Sequence, residues 1–586
     1  APWQGHGGDP ATVVHVRVGS RAENPRGTSW TDAYPDIVSA NCGVTETRNE
    51  IWVAGHLDLT TTPDIFTLKY PATIRGGFAG TEDSADERVD GAVATLDGSG
   101  VCVPFKFRSA YALTLERVRF SGGNTHGFEK IDSAGDVTFN GCEFMANVIT
   151  SATDVSGAGA YFPYTSYSAV STIRFNGCRF EGNGRGSSAN SKTLYGGCIN
   201  LSTHKALYTD GCTFVTNGVN FEVSTHGTST SGTIGSCIYV NSTPIYITNC
   251  RFVGNRSSCY TTSIPGGTVY LTSKCGGSQI KNCAFLGNEC VSRADTAANG
   301  GTMAGTIIVN LYDSLLTLDI ENCTFGWNLT SGLSSPVDLC AYKGTVGIKN
   351  SIFRGGVLGG ATVAGVGTYC DARASGVINA DYCMFDGEPG NCVSNYGGGT
   401  VTIGDHCSNQ DPSFISTDPA REVYEPSGVF AKYTPESAAG LVAADAHLVS
   451  SAGYYDNDGG FHSGGSVFSK AIDAGDPTSA FSNEPEPNGG FINLGAYGNT
   501  TNASMTVSVQ PEILNGLVNV TFPDGISLPQ IAFSLVPGAI DYSAGVRIYC
   551  GTGALAQAGT SYSVVSPNLP ARPGEAFSWH SNTEGY

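Results

Sequence analysis

Alternating oxygen-bearing side chains followed by paired glycines, in Asp456-Asn457-Asp458-Gly459-Gly460, have the form in which a calcium loop begins: hard ligands first, then residues that permit a sharp turn. Where an EF-hand supplies its closing bidentate acid, this chain has Val467. Asp456 and Asp458 are therefore candidate ligands for Ca2+ in an unclosed loop, with a solvated Asx-rich turn as the structural alternative. None of the 10 histidines stands in a local nucleophile motif with serine or cysteine. Tyr161, Tyr164, Tyr167, Tyr208, Tyr239, Tyr246 and Tyr270 could build a strip on which sugar rings stack, or simply cover their neighbours on a sheet face.

What must position these residues is a repeat. Cys-x-Phe-x-x-Asn returns as NGCEFMAN (140–147), NGCRFEGN (176–183), DGCTFVTN (210–217), TNCRFVGN (248–255), KNCAFLGN (281–288) and ENCTFGWN (321–328), then more weakly as KNSIF (349–353) and DYCMF (381–385). Its phenylalanines stand 28 to 40 residues apart. An α-solenoid could share that period, but Ile173-Arg174-Phe175 and Cys178-Arg179-Phe180 alternate with period two around an Asn-Gly pair, which reads as strand, tight bend, strand. A second phrase precedes the first in each coil: AGAYF (158–162), GGCINL (196–201), GSCIYV (235–240), GGTVYL (266–271) and AGTIIV (304–309). Three strand segments per coil follow, and parallel stacking at ~4.8 Å makes eight clear coils a rod core of roughly 40 Å.

These paired FxxN and GG[A/C/T][I/V] phrases resemble the chlamydial polymorphic outer-membrane proteins, and EIWVAGHLDL (50–59), IRGGFAGTE (74–82), AIDAGDP (471–477) and NEPEPNGGFINLGAYGNT (483–500) resemble exported bacterial β-helix proteins of unassigned function. The resemblance covers about residues 10–502. It implies a right-handed parallel β-helix of the pectin-lyase-like superfamily, a scaffold that hosts lyases, hydrolases, adhesins and phage tailspikes and so implies no single activity. The chlamydial proteins continue into a membrane β-barrel, which has no counterpart in this chain. The expected fold is all-β: an N-terminal cap over 1–50 with a short helix starting near Ser29-Trp30-Thr31-Asp32, coils over 51–414, an irregular terminal coil and cap over 415–502, and a small β-sandwich-like domain over 503–586.

Composition narrows the function classes. A net charge of −20 repels nucleic acid and anionic lipid, and no apolar run approaches the roughly 20 residues that span a bilayer. Nineteen cysteines and a start at Ala1 without methionine point to an exported, secreted or cell-surface protein. The cysteine column (Cys142, Cys178, Cys212, Cys250, Cys283, Cys323, Cys383) should hold free, inward thiols, because in-register parallel side chains rarely reach the required disulfide torsion. Cys198 with Cys237, and Cys259, Cys275, Cys290, Cys340, Cys370, Cys392 and Cys407, are the better bridge candidates.

Lyases on such a scaffold need a basic residue beside a neutralised uronate, and polygalacturonase-like hydrolases use NTD, DD and GHG phrases. This chain has no NTD and no DD, and its GHG (5–7) precedes the coils. Its charged columns, Lys281, Glu321, Lys349 and Asp381 and also Arg119, Glu143 and Arg179, alternate in sign as stacked ion pairs do. The column Asn147, Asn183, Asn217, Asn255, Asn288 and Asn328 should hydrogen-bond the next coil. The sequence thus assigns no catalytic residue and requires no cofactor. It suggests a surface or extracellular-matrix protein for adhesion, glycan binding or assembly, whose partner is a polysaccharide, a cell-surface glycan or a second copy of itself. A polysaccharide lyase or glycoside hydrolase is the rival.

Overall fold

A computed structural model describes residues 12–506 except 60, 62, 150–154, 166–167, 186–193, 220–232, 260–265, 293–304, 314, 331–335, 359–360, 363–368, 396–397 and 417–443, and beyond them the strands Gln530–Ser534, Tyr549–Cys550, Ser563–Val564 and Ala576–His580. The chain winds as a parallel β-helix. Sheet 1 has 21 strands in two columns, for example Ile199–Ser202 beside Ile238–Asn241 in the first and Thr172–Asn176 beside Ala206–Asp210 in the second. Sheet 2 has 11 strands, including Arg179–Glu181, Thr213–Val215 and Arg251–Val253, and sheet 3 gathers 11 short strands, among them Val148–Ile149, Gly184–Arg185 and Glu289–Ser292, each directly after a repeat asparagine. Eleven rungs at ~4.8 Å give about 50 Å of stack, because the spiral begins before the first Cys-x-Phe phrase.

The repeat phrase encodes the corner between the second column of sheet 1 and sheet 2. One residue there adopts left-handed φ in each of nine successive coils: Arg117 (52°), Gly141 (55°), Gly177 (58°), Gly211 (62°), Asn249 (53°), Asn282 (52°), Asn322 (50°), Asn350 (52°) and Tyr382 (50°). Glycine and asparagine dominate because they tolerate that conformation best. After the bend, Cys and Phe alternate inward. Phe144, Phe180, Phe214, Phe252, Phe285, Phe325, Phe353 and Phe385 form one buried row, with successive ring centroids 4.5–5.0 Å apart and nearly parallel. The row and its neighbours in sheet 1 make one continuous core from Val14 to Val393.

At the N-terminal end, Val13–Arg17 forms the first strand, and its outer edge is covered by backbone bonds from His15 to Gly27 and between Arg17 and Tyr34. The helix expected near Ser29 is a turn instead. Asp32 accepts hydrogen bonds from Ser29 N (2.8 Å) and Thr28 Oγ1 (2.7 Å), which spends its carboxylate on the residues before it. The helix comes later, at Ile37–Ala40, with Asp36 as its N-cap.

Residues 444–506 do not continue the spiral. They lie along the outer face of sheet 2 as a lateral arm, against Val253, Ala284, Leu286 and Trp327 and, further along, Ile352 and Met384. The reason lies in one outward column: Arg119, Glu143, Arg179, Thr213 and Arg251 give way to Ala284, Thr324, Ile352 and Met384, so later coils offer an apolar face that water would otherwise cover. The corner asparagines of the same coils hold the arm: Asn282 Nδ2 donates to Gly498 O (2.6 Å), Asn322 Nδ2 to Asn493 O (2.9 Å), and Asn350 Oδ1 accepts from Asp476 N (2.8 Å). The β-sandwich expected over 503–586 falls mostly outside the described residues, which show two antiparallel strand pairs. No helix among the described residues is long and apolar enough to cross a membrane.

Candidate functional site

The residues singled out for chemistry fall into columns, and most spend their polar atoms on the column itself. In the asparagine column each Nδ2 donates to the Oδ1 of the next coil: Asn147 to Asn183 (2.8 Å), Asn183 to Asn217 (3.0 Å), Asn217 to Asn255 (3.0 Å), Asn255 to Asn288 (2.9 Å) and Asn288 to Asn328 (3.1 Å). Each Nδ2 also donates to the repeat phenylalanine carbonyl one coil back, as from Asn217 to Phe180 O (2.9 Å). Where the asparagines stop, Asn328 Nδ2 donates to the buried Asp338 Oδ1 (2.8 Å), so a carboxyl group ends a row of aligned amides. Both Nδ2 protons of each asparagine are thus used within the stack, and these side chains, at most 1% exposed, lie out of a ligand's reach.

All 17 described cysteines are free thiols, and only Cys42 is exposed. The inward column is as expected, with burial pushing the thiols of Cys142, Cys212 and Cys283 well up. The expected bridges do not form: Cys198 and Cys237 are both buried and free, as are Cys275, Cys290, Cys340, Cys370 and Cys392, while Cys407 is free at the end of the array. Stacked parallel strands set Cβ vectors side by side, a poor geometry for the disulfide torsion. Cys259 has no described side chain. A thiol serving as a small buried hydrophobe carries no information about the redox compartment.

The charged columns pair along or within rungs. Arg119 Nε lies 2.6 Å from Glu143, Arg179 2.6 Å from Glu181, and Lys281 Nζ 2.9 Å from Glu321. Lys349 leaves its column for Asp476 of the arm (2.6 Å), which raises its pKa. The GHG phrase lies outside the described residues. In the calcium-like stretch, Asp456 Oδ1 accepts from Gly460 N (2.7 Å) and Asp458 N (3.0 Å), and Oδ2 faces His462 Nε2 at 2.7 Å. This is the geometry of an Asx turn, with Asp458 exposed.

The tyrosines divide between the two columns of sheet 1. Tyr161, Tyr239 and Tyr270 belong to the first, where Tyr161 stacks on His126 (4.7 Å) and Tyr239 on Tyr270 (5.6 Å). Tyr208 and Tyr246 belong to the second and stack at 4.8 Å, with the Arg174 guanidinium 4.1 Å over Tyr208 and Gln279 in register beyond Tyr246. Their ring faces are thus turned to neighbours; Tyr270 is buried, with its hydroxyl accepting from Asn310 Nδ2 (3.1 Å), whereas Tyr208 and Tyr246 are half-buried. Tyr164 is exposed, and Tyr167 lies outside the described residues. Beside this row, Asp210 accepts from Thr248 Oγ1 and Asn249 Nδ2, both at 2.8 Å. Compared with known families, curated proteins and solved structures, the chain matches none.

Sequence reasoning missed several buried titratable groups. Lys130 points into the coil interior, where burial lowers its pKa to about 8, and its ammonium donates to Ser133 O. Burial and the Lys130 charge lower His204 to about 3, and burial lowers His126 to about 4. In the arm, His447 is buried with Nδ1 2.7 Å from Asp445 Oδ1 and its ring 3.4 Å from that of Tyr497. Burial opposes ionisation of Asp445, but the His447 bond and backbone N–H groups hold its pKa below the usual range. Burial, with Asp473 nearby, pushes Glu484 up to about 8 against two backbone donors, Asn499 and Asn493. Isolated Lys, His and Glu residues at irregular positions carry no periodic signal, so only the coordinates reveal their burial.

Proposed function

We propose that this chain is an exported surface or extracellular-matrix β-helix protein that acts through a long outer face in adhesion, glycan binding or extracellular assembly. One observation carries the reading: outward polar groups repeat rung by rung along the second column of sheet 1, as Arg174, Tyr208, Tyr246, Gln279 and Asp319, while the acids and bases of the charged columns are paired rather than gathered at one point. A ligand that matches such a row is itself extended and repetitive, with hydroxyls to meet phenol edges, amides and carboxylates. A polysaccharide or cell-surface glycan has that form, and so does the same face of a second copy.

The repeat phrases support membership of the pectin-lyase-like group and a likeness to chlamydial outer-membrane passengers, and with it export. The acidic net charge of −20 argues against nucleic acid as partner. This reading needs no cofactor; Ca2+ at Asp456 and Asp458 would have to displace His462 from Asp456. Glycan-array binding by the full chain, compared with Tyr208→Ala and Tyr246→Ala, tests the face, and electron microscopy tests assembly. A monomer that binds no glycan or surface would overturn both versions, and release of unsaturated or reducing sugar products from uronate polymers would establish an enzyme instead.

A further inference from the structure

The first rungs of sheet 2 break a rule that the rest of the molecule keeps. In strands His56–Asp58 and Ala94–Asp97, His56 stands opposite Thr95, Leu57 opposite Leu96, and Asp58 opposite Asp97. Leu96 is buried and Leu57 packs against the core, so the alternating His56, Asp58, Thr95 and Asp97 belong to the outer face. Elsewhere a charge in register meets its opposite or a neutral group: Lys106 faces Glu129, Arg75 faces Glu116, Glu143 faces Arg119 and Arg179, Arg256 faces Glu289, and Lys281 faces Glu321. Among the register pairs of the described residues, Asp58 and Asp97 are the one pair of like charge. Carboxylates directly opposite at rung spacing repel, and among the described residues neither forms an ion pair with lysine or arginine.

What lies beside them is an imidazole. His56 Nε2 is 2.6 Å from Asp58 Oδ1, and one donor atom from each of His56, Asp58 and Asp97 falls within 4.8 Å of the others. Asp97 is fixed in place: its Oδ1 accepts from Ser99 N (2.7 Å), and it lies over Gly122, where a Cβ would come within 2.2 Å of that oxygen. The other Asp97 oxygen remains for a ligand.

We propose that His56, Asp58 and Asp97 bind a divalent transition-metal ion, with Zn2+ as the representative case. One nitrogen and two carboxylate oxygens suit such an ion, whereas Ca2+ takes oxygen ligands alone. The two anionic charges balance the ion, which removes the repulsion that the register imposes. Metal–ligand distances of ~2.0–2.2 Å require donor atoms roughly 3–3.5 Å apart, which exposed side chains on a rigid sheet reach by small rotations. The three ligands occupy one side of the ion and leave its remaining positions open to solvent.

Equilibrium dialysis of the metal-free full chain against Zn2+ tests the assignment, with His56→Gln and Asp97→Asn as variants and Asp381→Asn as a control at a second exposed His–Asp pair, His406 with Asp381 (3.2 Å). The expected result is a saturable equivalent of Zn2+ whose affinity falls at least tenfold in either of the first two variants and is unchanged in the control. Co2+ should give a visible absorption band that His56→Gln abolishes. All three variants are at exposed or half-exposed positions, and circular dichroism verifies that they fold. Zn2+ binding that is absent, or equal in the parent chain and Asp97→Asn, overturns the proposal and leaves the contact of His56 with Asp58 as a hydrogen bond of the surface alone.

Discussion

The Asn217 amide bonds four polar groups that each lose a hydrogen bond if it goes: Asn183 N (3.0 Å), Asn183 Nδ2 (3.0 Å), the carbonyl of Phe180 (2.9 Å) and Asn255 Oδ1 (3.0 Å). All are buried, and each unsatisfied group costs about 1–3 kcal/mol, partly recovered by relaxation. Asn217→Ala should therefore lower the unfolding free energy by roughly 3 kcal/mol, read as a reduced urea midpoint. Asn→Ala in a ladder interior should cost more than the exposed substitution Asp458→Ala, which removes no buried partner. The same reasoning separates the two kinds of asparagine in the repeat. The one after Phe is a structural rung, whereas the one before Cys is a left-handed corner residue whose amide, in Asn282, Asn322 and Asn350, is free to hold the arm.

At the scale of the element, the arm and the coils respond differently to pH. Glu484 in the arm keeps its proton to about pH 8 when folded, against an ordinary value of 4.5. Its contribution to stability is complete below pH 4.5 and is lost as pH rises to 8, by up to roughly 4 kcal/mol. Glu484→Gln should flatten that fall, measured as the midpoint of arm unfolding between pH 5 and about 8.5. His126 and His204 act in the opposite sense on the coils. Their folded pKa values, about 4 and about 3, lie below the ordinary 6.5, so the stability they confer is present above 6.5 and declines as pH falls through that window. The arm also rests on an apolar seat. Ile352→Asp would bury a charge beneath Leu448, Ala471 and Leu494, and should detach residues 444–506 at a cost of more than about 3 kcal/mol. Limited proteolysis should then cut the arm while the coils retain their far-ultraviolet spectrum.

Across the whole molecule, the phenylalanine row couples one coil to the next. Phe214 is fully buried between Phe180 (4.7 Å) and Phe252 (4.5 Å), so Phe214→Ala should cost about 3–5 kcal/mol. In a stack where each coil touches only its neighbours, that loss should split denaturant unfolding into two transitions, one on each side of the defect. A single unchanged transition would show that cooperativity does not run through the row. The same geometry supports the functional proposal, since rigid rungs present outward groups at a fixed repeat that a flexible surface could not maintain.

The spiral was legible because its physics is periodic. Inward Cys and Phe, the left-handed Gly or Asn before them and the laddered Asn after them all recur at intervals set by one coil, and repetition amplifies each weak local signal. The arm's seat was written there too, as the change from Arg119, Glu143 and Arg179 to Ala284, Ile352 and Met384, but its meaning depends on knowing that these residues share a column. Burial of Lys130, His204 and Glu484, the free state of Cys198 and Cys237, and the meeting of His56, Asp58 and Asp97 were decided by tertiary structure alone. Each depends on distances between positions far apart in the chain or on a rung register, and a composition or a spacing along one strand does not contain those distances.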